Sequence, residues 1–401
     1  MRSLSTGTGT GTRASAAMMA IAAALLAACS ALPLAPLAPP RFLYDQHFGP
    51  ADGIQEQADI FALSPAMRAY ADQHLNPAAL RAQGPQDPRQ ALLAALYQNS
   101  RLRLRYDDSV TRTAAQAFEQ RAGNCLSLVL MTAAFARHLG LPVTYQVLDV
   151  VETHERRGGL YLSSGHVNVV LQRRALPPLR RGTAEDADLV VDFLPGRDVA
   201  GARARPLDEA TLTAMFHNNR AAELLAAGLT SQSYWRARAA VLQAPAFMPA
   251  LNTLAVVYQR AGLADAAEQA YRQVLHSEPH NVAALGNLVG SLQRQSRLAE
   301  AEPMARLLAR LQPRPPFQAF DSGRLAMQAG DHQRAKRLFE QELEHQPHQA
   351  EVHHWAAMAN WHLGNQRLVA YHLGLARDYS STQSDQHRYS AKLQSLRTLA
   401  Q

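Results

Sequence analysis

The spacing of apolar positions changes character several times along the chain. Met18 to Ala28 is a short unbroken apolar run, well below the about 20 residues that a bilayer-spanning helix requires. Ser64-Pro65 and Asp87-Pro88 each place a capping residue before a proline, which predicts two helix starts. Leu102 to Tyr106 alternates and predicts a short strand. Thr113 opens a further helix that ends near Arg121. Leu126 to Leu139 is apolar on nearly every side and closes at Gly140-Leu141-Pro142, the pattern of a buried central helix. Three β-rich segments follow: Val143 to Val150, His166 to Leu171 and Leu189 to Phe193. Beyond residue 206 the pattern turns helical and stays so.

That helical half has a long period. Pro245, Pro279, Pro313 and Pro347 stand 34 residues apart. Gly228, Gly262, Gly330 and Gly364 fall on the same lattice, with Ser296 in the missing slot. Small residues follow five positions later, at Ser233, Ala267, Ala301 and Ala335, and aromatic residues four later still at Tyr271 and Phe339. Leu251, Leu254, Ala255 and Tyr258 form one helix face. Small residues let paired helices approach, Gly ends the first helix of a pair and Pro opens the link after the second. The spacings resemble those of the tetratricopeptide repeat. Four repeats are expected from about 214 to 349, a degenerate fifth to about 381, and a capping helix from Ser384 to Leu399. A stack of this kind offers a concave groove for a peptide or protein partner. Six histidines crowd its end: His345, His348, His353, His354, His362 and His372. Their spacing matches no ligand set, which reads as solvated surface and not a metal centre.

Composition narrows the class. Apolar residues make up 47% and charged residues 18% of the 401, as in a globular chain. The formal charge is +7, but Lys336 and Lys392 are the only lysines and the arginines are scattered among acids. A nucleic-acid footprint is clustered charge, so that class is set aside. Residues 1–28 read as a secretory signal, with Arg2 and Arg13 before the apolar run. Leu26-Ala27-Ala28-Cys29 resembles the lipobox of bacterial lipoproteins. That resemblance implies acylation of Cys29, and Ser30 after it implies the outer membrane, facing the periplasm. Ser30 to Pro40 is a Pro-rich spacer that would hold the body off the membrane.

Cys125 is then the lone free thiol, and such a thiol in an exported chain needs a reason. It opens the buried helix. A helix N-terminus and a cationic partner lower a thiol's pKa, which is ordinarily near 8.5. Later strands carry His166 and Asp192, a base and an acid able to hold the imidazole. His138 and His154 compete for the base, the second from a polar loop over Glu152 to Gly159. Asp186 and Asp188 compete for the acid. No phosphate-binding or zinc-protease motif is present, so no cofactor is implied.

Arg121-Ala-Gly-Asn-Cys125, Ala133-Ala-Phe-Ala-Arg137 and Gly140-Leu-Pro142 resemble the core of the transglutaminase-like superfamily, with His166-Val-Asn-Val-Val and Val190-Val-Asp192-Phe-Leu-Pro195 as its later strands. Residues 95–197 carry the likeness. Arg173 to Ala187 would be a loop insertion, and Leu126-Ser127 stand where polar or aromatic residues are usual. The resemblance implies an α+β, papain-like cysteine domain with a Cys125, His166, Asp192 triad, forming a thioester that water or an amine resolves. The expected plan is a signal over 1–28, an acylated tether over 29–45, the cysteine domain over 46–205, and an all-α tetratricopeptide superhelix over 206–401. The function expected is a membrane-anchored peptidase or amidase, with the array recruiting substrate. A non-catalytic peptide-binding scaffold is the alternative.

Overall fold

The computed structural model describes residues 43–399 except 52, 55, 77–86, 99–101, 158–159, 173–187, 194–202, 314, 316 and 381–382. The signal, Cys29 and the Pro-rich spacer lie outside those residues. Among the described residues no helix is long and apolar enough to cross a membrane.

The first half begins with α1 (Gln57–Ile60), α2 (Pro65–His74) and α3 (Pro88–Leu93), the last running into one wide turn over Ala94–Gln98. The caps act as the sequence predicts. Ser64 Oγ accepts the Met67 N–H, and Asp87 accepts that of Arg89. Thr113 and Gln116 form a reciprocal capping box at the start of α4 (Ala114–Gln120). The alternating stretch at 102–106 yields only β1 (Arg105–Tyr106), paired in parallel with β2 (Ala122–Gly123). The central helix α5 (Cys125–His138) buries every side chain from Leu126 to Ala136.

Helix α5 packs on a four-stranded antiparallel sheet ordered β5-β4-β3-β6. Its strands are β3 (Val143–Arg157), β4 (Leu160–Leu171), β5 (Leu189–Val191) and β6 (Arg203–Leu207). Val167, Val169, Leu171 and Val191 turn toward α5 and join one core with Val129, Met131 and Phe135. The period-2 alternation of a strand sends His166 and Asn168 to the other face of β4.

Eleven helices follow: α6 (Glu209–Ala226), α7 (Thr230–Gln243), α8 (Met248–Arg260), α9 (Ala264–Ser277), α10 (Val282–Arg294), α11 (Leu298–Leu311), α12 (Gln318–Gln328), α13 (His332–His345), α14 (Ala350–His362), α15 (Gln366–Asp378) and α16 (Gln383–Leu399). From α6 to α11 and again from α12 to α16 each helix packs on the next, as a tetratricopeptide-like superhelix requires, while α11 and α12 do not pack closely on each other. The lattice is geometric. Gly228, Gly262, Gly330 and Gly364 take φ between 75° and 81° at the ends of α6, α8, α12 and α14. Ser296, in the slot without Gly, is held at φ 60°. The lattice small residues Ser233, Ala267, Ala301 and Ala335 are all buried.

Two expected boundaries are corrected. Residues 43–45, expected in the tether, and 46–49, expected in the cysteine domain, pack on the array. Phe48 stacks on Tyr234 with ring centroids 3.8 Å apart, and Tyr44 meets Tyr258 edge-on at 5.5 Å. Asp45 accepts from Tyr234 Oη and from Arg238 Nε (2.9 Å), and Trp235 Nε1 donates to Gly49 O at 2.6 Å. This strap belongs to the core of the first two repeats. The division at 205/206 also falls inside β6, which pairs with β3 from Arg203 to Leu207. Helix α6 serves both cores: Leu212 and Phe216 pack under α5 and the sheet, while Ala214, Ala221 and Leu225 pack in the array.

Of the six histidines expected on the surface, His345, His348 and His362 are exposed, but two differ from expectation. His353 and His372 are buried, and their Nδ1 atoms lie 3.1 Å apart. His353 Nε2 donates to Pro347 O at 2.9 Å, so its Nδ1 must accept from His372. Burial holds both imidazoles below the usual range, His372 at about 4. Packing of α14 against α15 encloses this pair and overrides its polarity, while His362 at the end of α14 is exposed.

Candidate active site

Cys125 is the first residue of α5. Asn124 before it is the N-cap. Its Oδ1 accepts the Ser127 N–H (2.9 Å) and the Ser127 hydroxyl (2.7 Å). Gly123 is required one step earlier, because a Cβ there would lie 2.7 Å from Ser127 Cβ. The Gly-Asn-Cys sequence is therefore the shape of a helix start that brings a thiol against the sheet. Backbone N–H groups of Val167, Leu126 and Cys125 itself lie near the sulfur and favour its charged form. Val167 follows His166 on β4, so the thiol meets that strand beside the imidazole.

His166 is buried, and its Nε2 lies 2.8 Å from both Asp192 oxygens. Asp192 follows directly after β5, whose register with β4 pairs Val191 with Val169. One further step sets Asp192 level with Asn168. The carboxylate thus fixes the ring with its N–H on Nε2, leaving Nδ1 as the basic atom. His166 Nδ1 is buried without a hydrogen-bond partner, as is Asn168 Oδ1 two residues on. Of the three residues expected from sequence, His166 and Asp192 are hydrogen-bonded to each other, and Cys125 lies by the Val167 amide next to His166, near enough to feel the Asp192 charge; Asn168 stands level with Asp192 on β4. It was legible only as a polar residue inside a valine run.

The thiol's electrostatics differ from expectation. Burial is the largest influence and pushes it up to about 11; the three backbone N–H groups pull it down, and the Asp192 charge adds to the rise. The resting group is a neutral thiol. Attack on a carbonyl then requires His166 to take the proton as the bond forms, with no preformed ion pair.

The competing residues lie elsewhere. His138 is the last residue of α5, about 20 Å from Cys125 at the rise of an α-helix. His154 is in β3, opposite Ser163, and not in a loop. Asp188 precedes β5 and acts on Arg89. Asp186 is outside the described residues. Arg137, part of the family-like segment, stands over the Phe61 ring at 4.5 Å, donates to Tyr145 Oη at 2.6 Å and pairs with Glu209 of α6. It ties the two cores together, and Glu209 is held below the usual carboxylate range chiefly by that partner against the opposing effect of burial. Among the described residues no cluster of three His, Cys, Asp or Glu side chains could hold a metal ion.

No family model matches the chain, and no curated protein does. Similar solved structures include MamA from AMB-1, at 20% identity over 41% of this chain and 90% of that one, with a TM-score of 0.23. A second is YrrB, described as a TPR protein with an unusual peptide-binding site, at 17% identity over 44% and 92%, with a TM-score of 0.24. A third is a thermophilic TPR protein of Thermus thermophilus, at 18% identity over 45% and 98%, with a TM-score of 0.31.

Proposed function

We propose that the chain is a cysteine hydrolase of peptide or side-chain amides, whose helical array recruits a peptide or protein substrate. One observation carries this reading: a thiol at a helix start, beside the amide that follows His166, with that imidazole held by both oxygens of Asp192. In the reaction Cys125 Sγ bonds to the amide carbon as His166 Nδ1 takes the thiol proton. Collapse of the tetrahedral adduct breaks the C–N bond, and the imidazolium returns the proton to the leaving amine. Water, deprotonated by His166, then cleaves the thioester. An amine in place of water would give transamidation. The lipobox-like segment supports placing the protein at the outer membrane, facing the periplasm through acylated Cys29.

The raised thiol favours a second reading, a non-catalytic peptide-binding scaffold. One experiment separates the two. Wild type, Cys125→Ala, His166→Ala and Asp192→Ala are assayed on peptides carrying Gln, Asn and backbone amide targets. The catalytic reading expects Cys125→Ala to abolish turnover, His166→Ala to be nearly as severe and Asp192→Ala to lose less than the about 10⁴-fold seen for a comparable orienting acid. Full activity in Cys125→Ala, or none in wild type, leaves the scaffold reading.

A further inference from the structure

Helix α6 belongs to the array by its place on the lattice, yet one of its side chains reaches the thiol's helix. Glu223 Oε1 accepts the backbone N–H of Thr111 at 2.7 Å, and its other oxygen accepts from Arg220. Thr111 is buried, and its Oγ1 accepts Asn124 Nδ2 at 2.8 Å. Asn124 caps α5 through Ser127, whose Oγ in turn accepts the Arg112 N–H at 2.8 Å. An unbroken run of hydrogen bonds therefore joins the first array helix to the residue immediately before Cys125.

Each link is needed by its neighbour. Without Glu223 the Thr111 N–H would be a buried donor with no acceptor, which native structures avoid. Without Thr111 the Asn124 carboxamide has one end unheld. Without a fixed Asn124 the first turn of α5 loses its cap and the backbone N–H groups that face the sulfur lose their aim. Burial holds the Glu223 carboxyl above the usual carboxylate range, against Arg220 and Thr111, which favour its charged form.

We propose that Glu223 is a positioning residue for Cys125, acting through Thr111 and Asn124, and that it makes thiol reactivity depend on the array's first helix. This rests on the reading of Cys125 as the reactive group. A peptide that shifts α6 would then change how the thiol is presented.

The test uses the full chain carrying Cys29→Ser, so that Cys125 is its one thiol, and measures iodoacetamide alkylation from pH 6 to 12. Loosening the cap withdraws N–H groups that lower this thiol but also admits water, and burial is the larger influence, so the midpoint falls. Glu223→Ala and the near-isosteric Thr111→Val should each move the midpoint down by at least one pH unit from about 11 and raise the rate at pH 8 about tenfold, the factor one pH unit makes in thiolate population. The double variant should match either single one, because the links act in series. Thr111→Ser keeps the hydroxyl and should restore the wild-type profile. If Glu223→Ala does not fold, Thr111→Val decides. A lower melting temperature with an unchanged alkylation profile in both variants overturns the proposal and leaves Glu223 a stability tie. Full amide turnover by Cys125→Ala in the peptide assay sinks the catalytic reading instead, and does so without touching the comparison between Glu223→Ala and its parent.

Discussion

Phe48→Ala tests whether the strap at residues 43–49 is structure or tether. The ring is 9% exposed and lies parallel to Tyr234 at 3.8 Å. Truncating a buried Phe typically costs about 3–5 kcal/mol, including the cavity left behind. The strap's remaining apolar anchors, Leu43 and Tyr44, are only partly buried. The segment can therefore collapse or lift, which places the cost at the lower end, about 3 kcal/mol. For a body of this size about 1 kcal/mol moves the melting temperature by about 2–4 °C, so a fall of about 6–12 °C is expected. Phe48→Leu keeps apolar area and loses the stacked geometry, and should cost about 1 kcal/mol, the usual worth of an aromatic pair beyond its area. Thermal melts of the three proteins give the magnitudes. Limited chymotrypsin digestion, mapped by mass spectrometry, locates the change, with new cleavage after Tyr44 expected in Phe48→Ala alone. A fall below about 2 °C, under 1 kcal/mol on the same scale, with no new cleavage would refute the assignment of the strap to the array core.

Other expectations follow from single positions. Ser296→Gly relieves a φ of 60° at the one lattice slot without glycine and should stabilise by about 0.5–1 kcal/mol, read by urea unfolding. Gly323→Ala would add helix propensity, worth about 1 kcal/mol. The new Cβ would lie 2.5 Å from Phe339 Cε1, so the clash wins and net destabilisation of about 1–3 kcal/mol is expected in the same assay. His217, His354 and His372 are held by burial at about 4, below their unfolded value of 6.5. The unfolded chain therefore binds more protons between those limits, and stability present above pH 6.5 is lost as the pH falls toward 4. Melting temperature should drop more steeply over that window than between pH 8.5 and 6.5, and His372→Asn should flatten the slope.

What the sequence made legible was local. Ser64, Asp87 and Thr113 cap helices because a cap is a contact within three residues. The Gly and Pro lattice predicts the helix pairs because each pair repeats the same local chemistry. Cys125, His166 and Asp192 could be brought together only through the family-like segments, since no local period links residues 41 or 26 positions apart. Other features had no local signature. Phe48 looks like any aromatic beside a Pro-rich stretch until Tyr234 is seen beneath it. Glu223 looks like a surface acid of an amphipathic helix until Thr111 is found above it. His353 and His372 look solvated because polarity is a weaker guide than packing where two helices meet. The thiol's raised pKa was missed for the same reason: a helix start favours the thiolate, but burial is a property of the whole fold and outweighs it.

The strap has a consequence for how the chain is made. Gly49 and Trp235, which close it, are 186 residues apart. At about 5–20 residues per second the strap leaves the ribosome about 10–40 s before its acceptor helix exists. Throughout that interval Phe48 and Tyr44 are bare aromatic residues on a nascent chain, and the thiol half still lacks the Leu212 and Phe216 side chains that complete its core. A holding chaperone has its natural target there; folding of the first half is gated by the arrival of α6, and closure of the strap by the arrival of α7 and α8. A pause in translation placed before residue 258 should therefore prolong that exposure, whereas one placed after it should not.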